Sequence, residues 1–289
     1  TCSFSIKVGN AGAAGAVGAI IYNNVDGDVA GTLGTPQPVE GSYVPVAGLS
    51  KARGDALLAA TQAGTVTAEL NAYGLSEDRV TYNVIAQSKG GDKNSVVMAG
   101  SHTGSVTAGP GINDNGSGSV ALLEIAQQLA KSKSKLDNAL RFGWWSAEEY
   151  GLLGAEYYVS QLSLEERNKI RIYLNFDMIA SPNYVYAIYD GDGSAFNVSG
   201  PAGSAQAEQL FEKYFESQGL AHVPSDFDGR SDYGPFLDAG IACGGLFTGA
   251  EVNKTEEEAR LFGGQAGVAY DSNYHQAGDD FSNLNAEAF

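Results

Sequence analysis

Apolar and polar residues alternate along this chain with two periods, and the changes between them mark its elements. From Ile6 to Gly18 small and apolar residues recur at helical spacing, and the run Gly18–Asn23 that follows reads as a strand. A Gly/Pro/Asp-rich loop separates it from a second strand at Tyr43–Ala47. A helix over Ser50–Ala63, with Ser50 as N-cap, and a strand over Thr65–Leu70 complete a first module. Composition shifts near residues 71–80, after which longer elements with paired aromatics begin. Strands are predicted at Val80–Ala86, Ser95–Ser101, Ala139–Trp145, Ile170–Met178 and Ala242–Phe247. Helices are predicted between them at Ser117–Ser132, Gly154–Leu162 and Ser204–Gln218, the last stopping at Gly219. The first of these is amphipathic, with Val120, Leu123, Ile125 and Leu129 among its apolar positions. Such alternation predicts an α/β fold: a mostly parallel sheet with helices on both faces.

Composition removes several classes of function. Of 289 residues, 43% are apolar, enough for a sizeable core. No apolar run approaches the ~18 residues of a membrane span. A net charge of −17, from 34 acids against 17 bases, repels phosphate backbones and anionic lipid, so neither nucleic acid nor membrane is expected as a partner. Two cysteines, Cys2 and Cys243, make neither a disulfide scaffold nor a thiolate zinc cluster, and their pairing stays open. The start at Thr1, without Met, reads as a processed or truncated product. Abundant glycine, few bases and sequons at Asn115, Asn197 and Asn253 lean toward secretion, although a glycan on Asn115 would obstruct the loop that carries it. The glycines of Gly9–Gly15 precede a strand instead of following one, unlike a nucleotide-binding loop. No Gly-x-Ser-x-Gly nucleophile elbow occurs.

The chemistry gathers at strand ends. His102 follows the apolar run Val96–Gly100, at the carboxyl edge where open α/β sheets collect ligands. A glycine-rich loop then lets Asp114 turn inward before the next helix. Glu148 and Glu149 end a second strand, Asp177 closes a third, and His275 lies in Asn273-Tyr-His-Gln-Ala-Gly-Asp279. Singly, each has an ordinary reading as a solvated acid, a polar turn or a structural histidine. Converging, so many acids are costly unless cations neutralise them. Imidazole nitrogen mixed with carboxylate oxygen suits zinc, and a shared carboxylate would build a two-metal hydrolytic site.

From about Leu75 to Phe289 the chain resembles the M28 family of zinc aminopeptidases, most closely its secreted fungal leucine-aminopeptidase-like members. The motifs are Gly-Ser-His-Thr-Gly-Ser (100–105), Gly-Pro-Gly-Ile-Asn-Asp-Asn-Gly-Ser-Gly (109–118), Trp-Ser-Ala-Glu-Glu-Tyr-Gly-Leu-Leu-Gly (145–154), Asn-Phe-Asp-Met (175–178), Gly-Arg-Ser-Asp-Tyr-Gly-Pro-Phe (229–236), Gly-Gly-Leu-Phe-Thr-Gly-Ala-Glu (244–251) and Asn-Tyr-His-Gln (273–276). Residues 1–74 resemble a protease-associated (PA) insert through Cys2, Phe4, Lys7, Ala14-Gly15-Ala16 and Ile20–Asn23, leaving 75–289 as the catalytic part. The resemblance implies two Zn2+ per chain: Asp114 bridging, His102 and Asp177 completing one position, Glu149 and His275 the other. It implies Glu148 as the general base that takes a proton from the attacking water and returns one to the leaving amine. Tyr274 would stabilise the oxyanion, Arg230 would meet substrate carbonyl or carboxylate groups unless it forms a structural salt bridge, and Phe247 would wall an apolar side-chain pocket unless it is plain core. The substrates implied are amino termini of peptides or proteins with apolar first residues, and a secreted monomer is expected.

Two departures stand out. Where the family usually has His-x-Asp-Ser, this chain has Gly104, which leaves the far ring nitrogen of His102 to water or a carbonyl and predicts weaker zinc at the His102/Asp177 position. The family also implies a helical portion before Thr1 and a closing helix after Phe289, without which apolar surface is expected to be exposed. Two other readings compete: a non-catalytic binding protein on the same scaffold, and a single-zinc transferase of the glutaminyl-cyclase kind.

Overall fold

The computed structural model describes residues 3–27, 29, 31, 33, 43–71, 78–132 and 135–289. Two compact units divide the chain, Thr1–Arg79 and Val80–Phe289. The sequence boundary expected at 74/75 lies outside the described residues, as does Cys2.

In the first unit, α1 (Phe4–Ala13) starts where the Ser3 hydroxyl accepts the Ile6 N–H, earlier than the sequence pattern suggested. It ends at Ala13, short of Gly18, because Gly15 takes a left-handed φ of 84°. Strands β1 (Ala19–Tyr22) and β2 (Val46–Leu49) pair in parallel. Helix α2 (Lys51–Ala63) has Ser50 at its N-cap position in an extended conformation, but the hydroxyl makes no capping bond. A methyl group at Gly54 would collide with the Tyr22 ring, so glycine lets helix and strand close together. The strand expected at Thr65–Leu70 does not form: those residues have no strand partner among the described residues.

The second unit is built on a seven-stranded sheet in the order β3-β5-β4-β6-β9-β7-β8. Its strands are β3 (Val84–Gln87), β4 (Asp92–His102), β5 (Asn138–Trp145), β6 (Ile170–Phe176), β7 (Ala187–Tyr189), β8 (Val223–Ser225) and β9 (Cys243–Phe247). Pairs β4/β5, β4/β6, β6/β9 and β7/β8 are parallel, and β3/β5 and β7/β9 antiparallel, which is the mixed, mostly parallel sheet expected. Strand β3 begins at Val84, later than predicted, and Val80 and Tyr82 ahead of it are exposed.

Helices α3 (Gly118–Lys131), α4 (Leu153–Gln161), α5 (Leu164–Lys169), α6 (Ser204–Ser217) and α7 (Tyr233–Asp238) join these strands, and α8 (Glu256–Phe262) follows the last of them. On α3 the buried side chain is Leu122, while Val120, Leu123 and Ile125 face outward and Leu129 is half-buried. The core centres on aromatics: Tyr173 stacks on Phe236 at 3.8 Å, and Trp145, Tyr158 and Met98 close around them. Aromatic pairs of this kind contribute about 0.5–1.5 kcal/mol each beyond the area they bury.

Candidate metal centre

Parallel pairing brings three strand ends to one edge. His102, the last residue of β4, lies opposite Trp145, the last of β5. Gly100 pairs with Asn175, so two steps further His102 is level with Asp177, directly after β6. Past β5 the chain reverses through Ala147 at φ 54° into a short 3-10 turn that begins with Glu148 and Glu149. Left-handed backbone costs a non-glycine residue about 1 kcal/mol, and here it turns both glutamates back toward the edge. Asp114 comes from the turn before α3, opened by Gly111 at φ 67°, where a Cβ would strike Ser105. His275 stands on a loop near the end of the chain, itself at φ 57°.

These five residues converge. His102 Nε2 is 3.3 Å from Asp114 Oδ1 and 3.3 Å from Asp177 Oδ1. His275 Nε2 is 3.1 Å from Asp114 Oδ2 and 2.9 Å from Glu149 Oε2. Asp114 thus offers one oxygen to each histidine, and the donors form two groups, His102/Asp114/Asp177 and Asp114/Glu149/His275. Glu148 Oε2 lies 3.8 Å from His102 Nε2. The Gly104 carbonyl sits 2.9 Å from His102 Nδ1; a carbonyl only accepts, so Nδ1 carries the proton and Nε2 is the free donor atom for a metal.

Cations fit this cluster. His102 Nε2, Asp177 Oδ1 and Glu149 Oε1 are buried with no hydrogen-bond partner among the described residues. Unpaired buried polar atoms are expensive, and here they point at one another from nitrogen and oxygen donors of the kind zinc prefers. Burial pushes the Glu148 carboxyl up to about 9, with Asp177, Asp232 and Glu149 adding to it against His102. Burial also disfavours the Asp114 charge, but the neighbouring His102 and His275 rings outweigh that and hold it at about 2. Asp114 and Glu149 lift His275 to about 10.

A second layer fixes the donors. The Ser231 hydroxyl donates to Asp177 Oδ2 at 2.6 Å and accepts from Asn175, which is linked through Tyr173 to Trp145. Behind Asp114, Asp279 accepts the backbone N–H groups of Asn113 and Asp114 at 2.8 and 3.0 Å, and Asp271 accepts from Asn113 and Asn283. None of Ser231, Asp232, Asp271 or Asp279 was given a role from sequence. Ser231 and Asp232 lie within the quoted 229–236 motif, but polar residues beside a glycine carry no signal of burial. Asp232 is fully buried with neither oxygen partnered among the described residues, and burial raises it to about 8.

The adjoining pocket is lined by Arg230, Phe247 and Tyr274 among others. Arg230 forms a salt bridge to Glu251 at 2.9 Å and donates to the Tyr274 hydroxyl at 3.2 Å. The Tyr274 ring stacks on His275 at 3.8 Å. Phe247 both lines the pocket and packs against the core, so its two readings coexist. Asn115 is buried, its amide donating to the Phe176 carbonyl and its Oδ1 accepting from Gly118, so that sequon has no room for a glycan; Asn197 and Asn253 are exposed. Cys243 is buried and free.

Comparison with known proteins bears on the family and the fold. The profile of Peptidase family M28 matches residues 83–289, and that of the PA domain residues 1–57. A probable leucine aminopeptidase 2 from Aspergillus fumigatus is 59% identical over 288 residues, covering 100% of this chain and 57% of its own length. Among solved structures, an aminopeptidase from Aneurinibacillus sp. strain AM-1 aligns with a TM-score of 0.72 at 28% identity, covering 100% of this chain and 63% of its own. A zinc aminopeptidase from Bacillus subtilis aligns with a TM-score of 0.70 at 26% identity, covering 100% and 64%. The chain therefore spans little more than half the length of that curated relative. By its motifs, its fold and these matches, it belongs to peptidase family M28 and carries a PA domain ahead of its peptidase part.

Proposed function

We propose that this chain is the catalytic part of a metal-dependent aminopeptidase that removes apolar, leucine-like residues from the amino termini of peptides, with two zinc ions per chain. The observation that carries this reading is Asp114, whose two oxygens face different histidines, as a carboxylate shared by two cations must. His102 and Asp177 would complete one position, Glu149 and His275 the other. Bound zinc supplies Lewis-acid polarisation of the scissile carbonyl and a more acidic water.

Glu148, buried and with a carboxyl that readily holds a proton, takes one from the attacking water and delivers it to the leaving amine. The Tyr274 hydroxyl accepts from Arg230, so its own proton is free to donate to the carbonyl oxygen as charge develops there. The surrounding carboxylates attract a free α-ammonium, which favours trimming of ends over internal cleavage. Met178 and Phe247 offer an apolar wall to the first side chain. Among the described residues no helix is long and apolar enough to cross a membrane. We assign an extracellular location, which the exposed sequons at Asn197 and Asn253 support.

The zinc-loaded chain is expected to release leucine from a leucyl amide, to lose that activity with a chelator, and to contain two zinc per chain by elemental analysis. Glu148→Gln should cost about 10²–10⁴ in kcat with zinc content retained. Chelator-resistant release would sink the reading, and a single zinc would favour the transferase alternative.

A further inference from the structure

One wall of the pocket is not used by the mechanism above. It is the segment after β8, where Asp226 and Asp228 line the pocket with Met178 and Phe247. The segment is pinned by Phe227, whose ring stacks on Tyr189 at 5.0 Å and meets Tyr233 edge-on at 5.0 Å. Asp228 is engaged: its Oδ1 accepts the Tyr233 hydroxyl at 2.7 Å and the Arg230 N–H at 3.0 Å. Asp226 is half-buried and forms no hydrogen bond or ion pair with a described residue. The pocket's one Arg or Lys among the described residues is Arg230, already committed to Glu251 and Tyr274. Outside the metal-binding set and Glu148, the wall carries three carboxylates (Asp226, Asp228, Glu251) against one guanidinium, a surplus of two negative charges.

We propose that Asp226 sets a charge preference at this pocket: besides apolar residues it admits amino-terminal lysine or arginine and excludes aspartate and glutamate. This rests on the aminopeptidase reading and deepens it. The aliphatic stem of lysine or arginine lies along Met178 and Phe247 as a leucine side chain would, and the charged head reaches a carboxylate that has no partner among the described residues. An acidic side chain meets the same carboxylate at close range, where partial burial weakens solvent screening.

Two measurements on the zinc-loaded full chain test this. The first is kcat/KM for lysyl, arginyl, leucyl and glutamyl fluorogenic amides, with wild type and Asp226→Asn. The second is calorimetric binding of free L-lysine, L-norleucine and L-glutamate; norleucine has the carbon chain of lysine without the ammonium. Wild type is expected to bind lysine about tenfold tighter than norleucine, and glutamate far more weakly than either. Asp226→Asn should lower the lysyl/leucyl ratio of kcat/KM about tenfold and remove most of the lysine-over-norleucine preference. If wild type binds lysine no better than norleucine, or the variant leaves the lysyl/leucyl ratio unchanged while leucine is still released, the charge preference is refuted and the aminopeptidase reading survives. If wild type releases none of the four residues, that reading fails, and this inference with it.

Discussion

Placing an acid at position 104 tests what holds the imidazole of His102. Its Nδ1 now donates to a neutral carbonyl, that of Gly104, at 2.9 Å. A Cβ at 104 would meet nothing nearer than the Ala147 nitrogen at 3.8 Å, so Gly104→Asp enters without displacing backbone. A neutral hydrogen bond contributes about 1 kcal/mol net and one to a charged group about 1.5–3 kcal/mol. Exchanging carbonyl for carboxylate therefore adds about 1 kcal/mol to the hold on His102 and to its basicity. That corresponds to about a fivefold to tenfold gain in zinc affinity at the His102/Asp177 position, the low end of what groups behind metal ligands usually contribute. Competition against a chromophoric chelator, fitted to two sites, reads this directly, with Gly104→Ala as the control that adds volume without charge. Equal affinities for wild type and Gly104→Asp, or an equal gain in Gly104→Ala, would show that the main-chain carbonyl already suffices and refute the reasoning.

Three further outcomes follow from the same contacts. Ser231→Ala removes the 2.6 Å bond to Asp177 and leaves the Asn175 amide without its buried acceptor; a loss of about 2 kcal/mol is expected in chemical denaturation, together with weaker zinc binding. Lys254 is buried, donates to the carbonyls of Tyr184 and Gly263 at 2.7 Å each, and lies over the Tyr184 ring at 5.5 Å. Lys254→Met should cost about 2–3 kcal/mol by stranding both carbonyls, and an unchanged melting temperature would contradict that. In the metal-free protein His275 is raised to about 10 by Asp114 and Glu149, so its protonated form stabilises the fold below the unfolded value of 6.5, and this contribution is lost as pH rises through 10. Zinc must displace that proton, so affinity should climb about tenfold per pH unit below 10 for each proton released, and a pH-independent affinity would count against the ligand assignment.

The convergence of His102, Glu148, Glu149 and Asp177 was legible in the sequence because they stand at or just past strand ends, and in a parallel sheet those ends share one edge. The register makes this concrete: His102 is level with both Trp145 and Asp177. Asp114 and His275 come from a turn and a loop, and it was the motif resemblance that tied them to this edge. What failed has physical reasons. Thr65–Leu70 alternates like a strand, but alternation supplies no neighbour, and a strand without one does not form. Strands β7 and β8 have three residues each, and Pro224 sits inside β8, so tertiary pairing decides them. The period of α3 named a helix correctly but not its buried face: Leu122 is inside and Leu123 outside. Two helices did carry a signal that was passed over. Thr255 with Glu258 forms a capping box at α8, and Ser163 caps α5 with Glu166 three residues on.

The charge arrangement explains why so acidic a centre is tolerable. Asp279 spends its oxygens on two backbone N–H groups and on Asn283, and Asp271 spends its own on amides, so the acids behind Asp114 have their oxygens satisfied by hydrogen bonds. Asp232 has no such partners among the described residues, and burial raises it to about 8, so in the metal-free protein near neutral pH it is mostly an uncharged acid. Glu148, raised to about 9, likewise holds its proton in the metal-free protein, so the charges left to balance there are those of Asp114, Glu149 and Asp177. In the proposed state two zinc ions bring four positive charges to these carboxylates and favour release of the Glu148 proton, while the histidines supply neutral nitrogen. Without cations the same carboxylates hold protons on His102 and His275 instead, as the raised pKa of each histidine shows. Metal and proton are thus alternative occupants of one preformed arrangement.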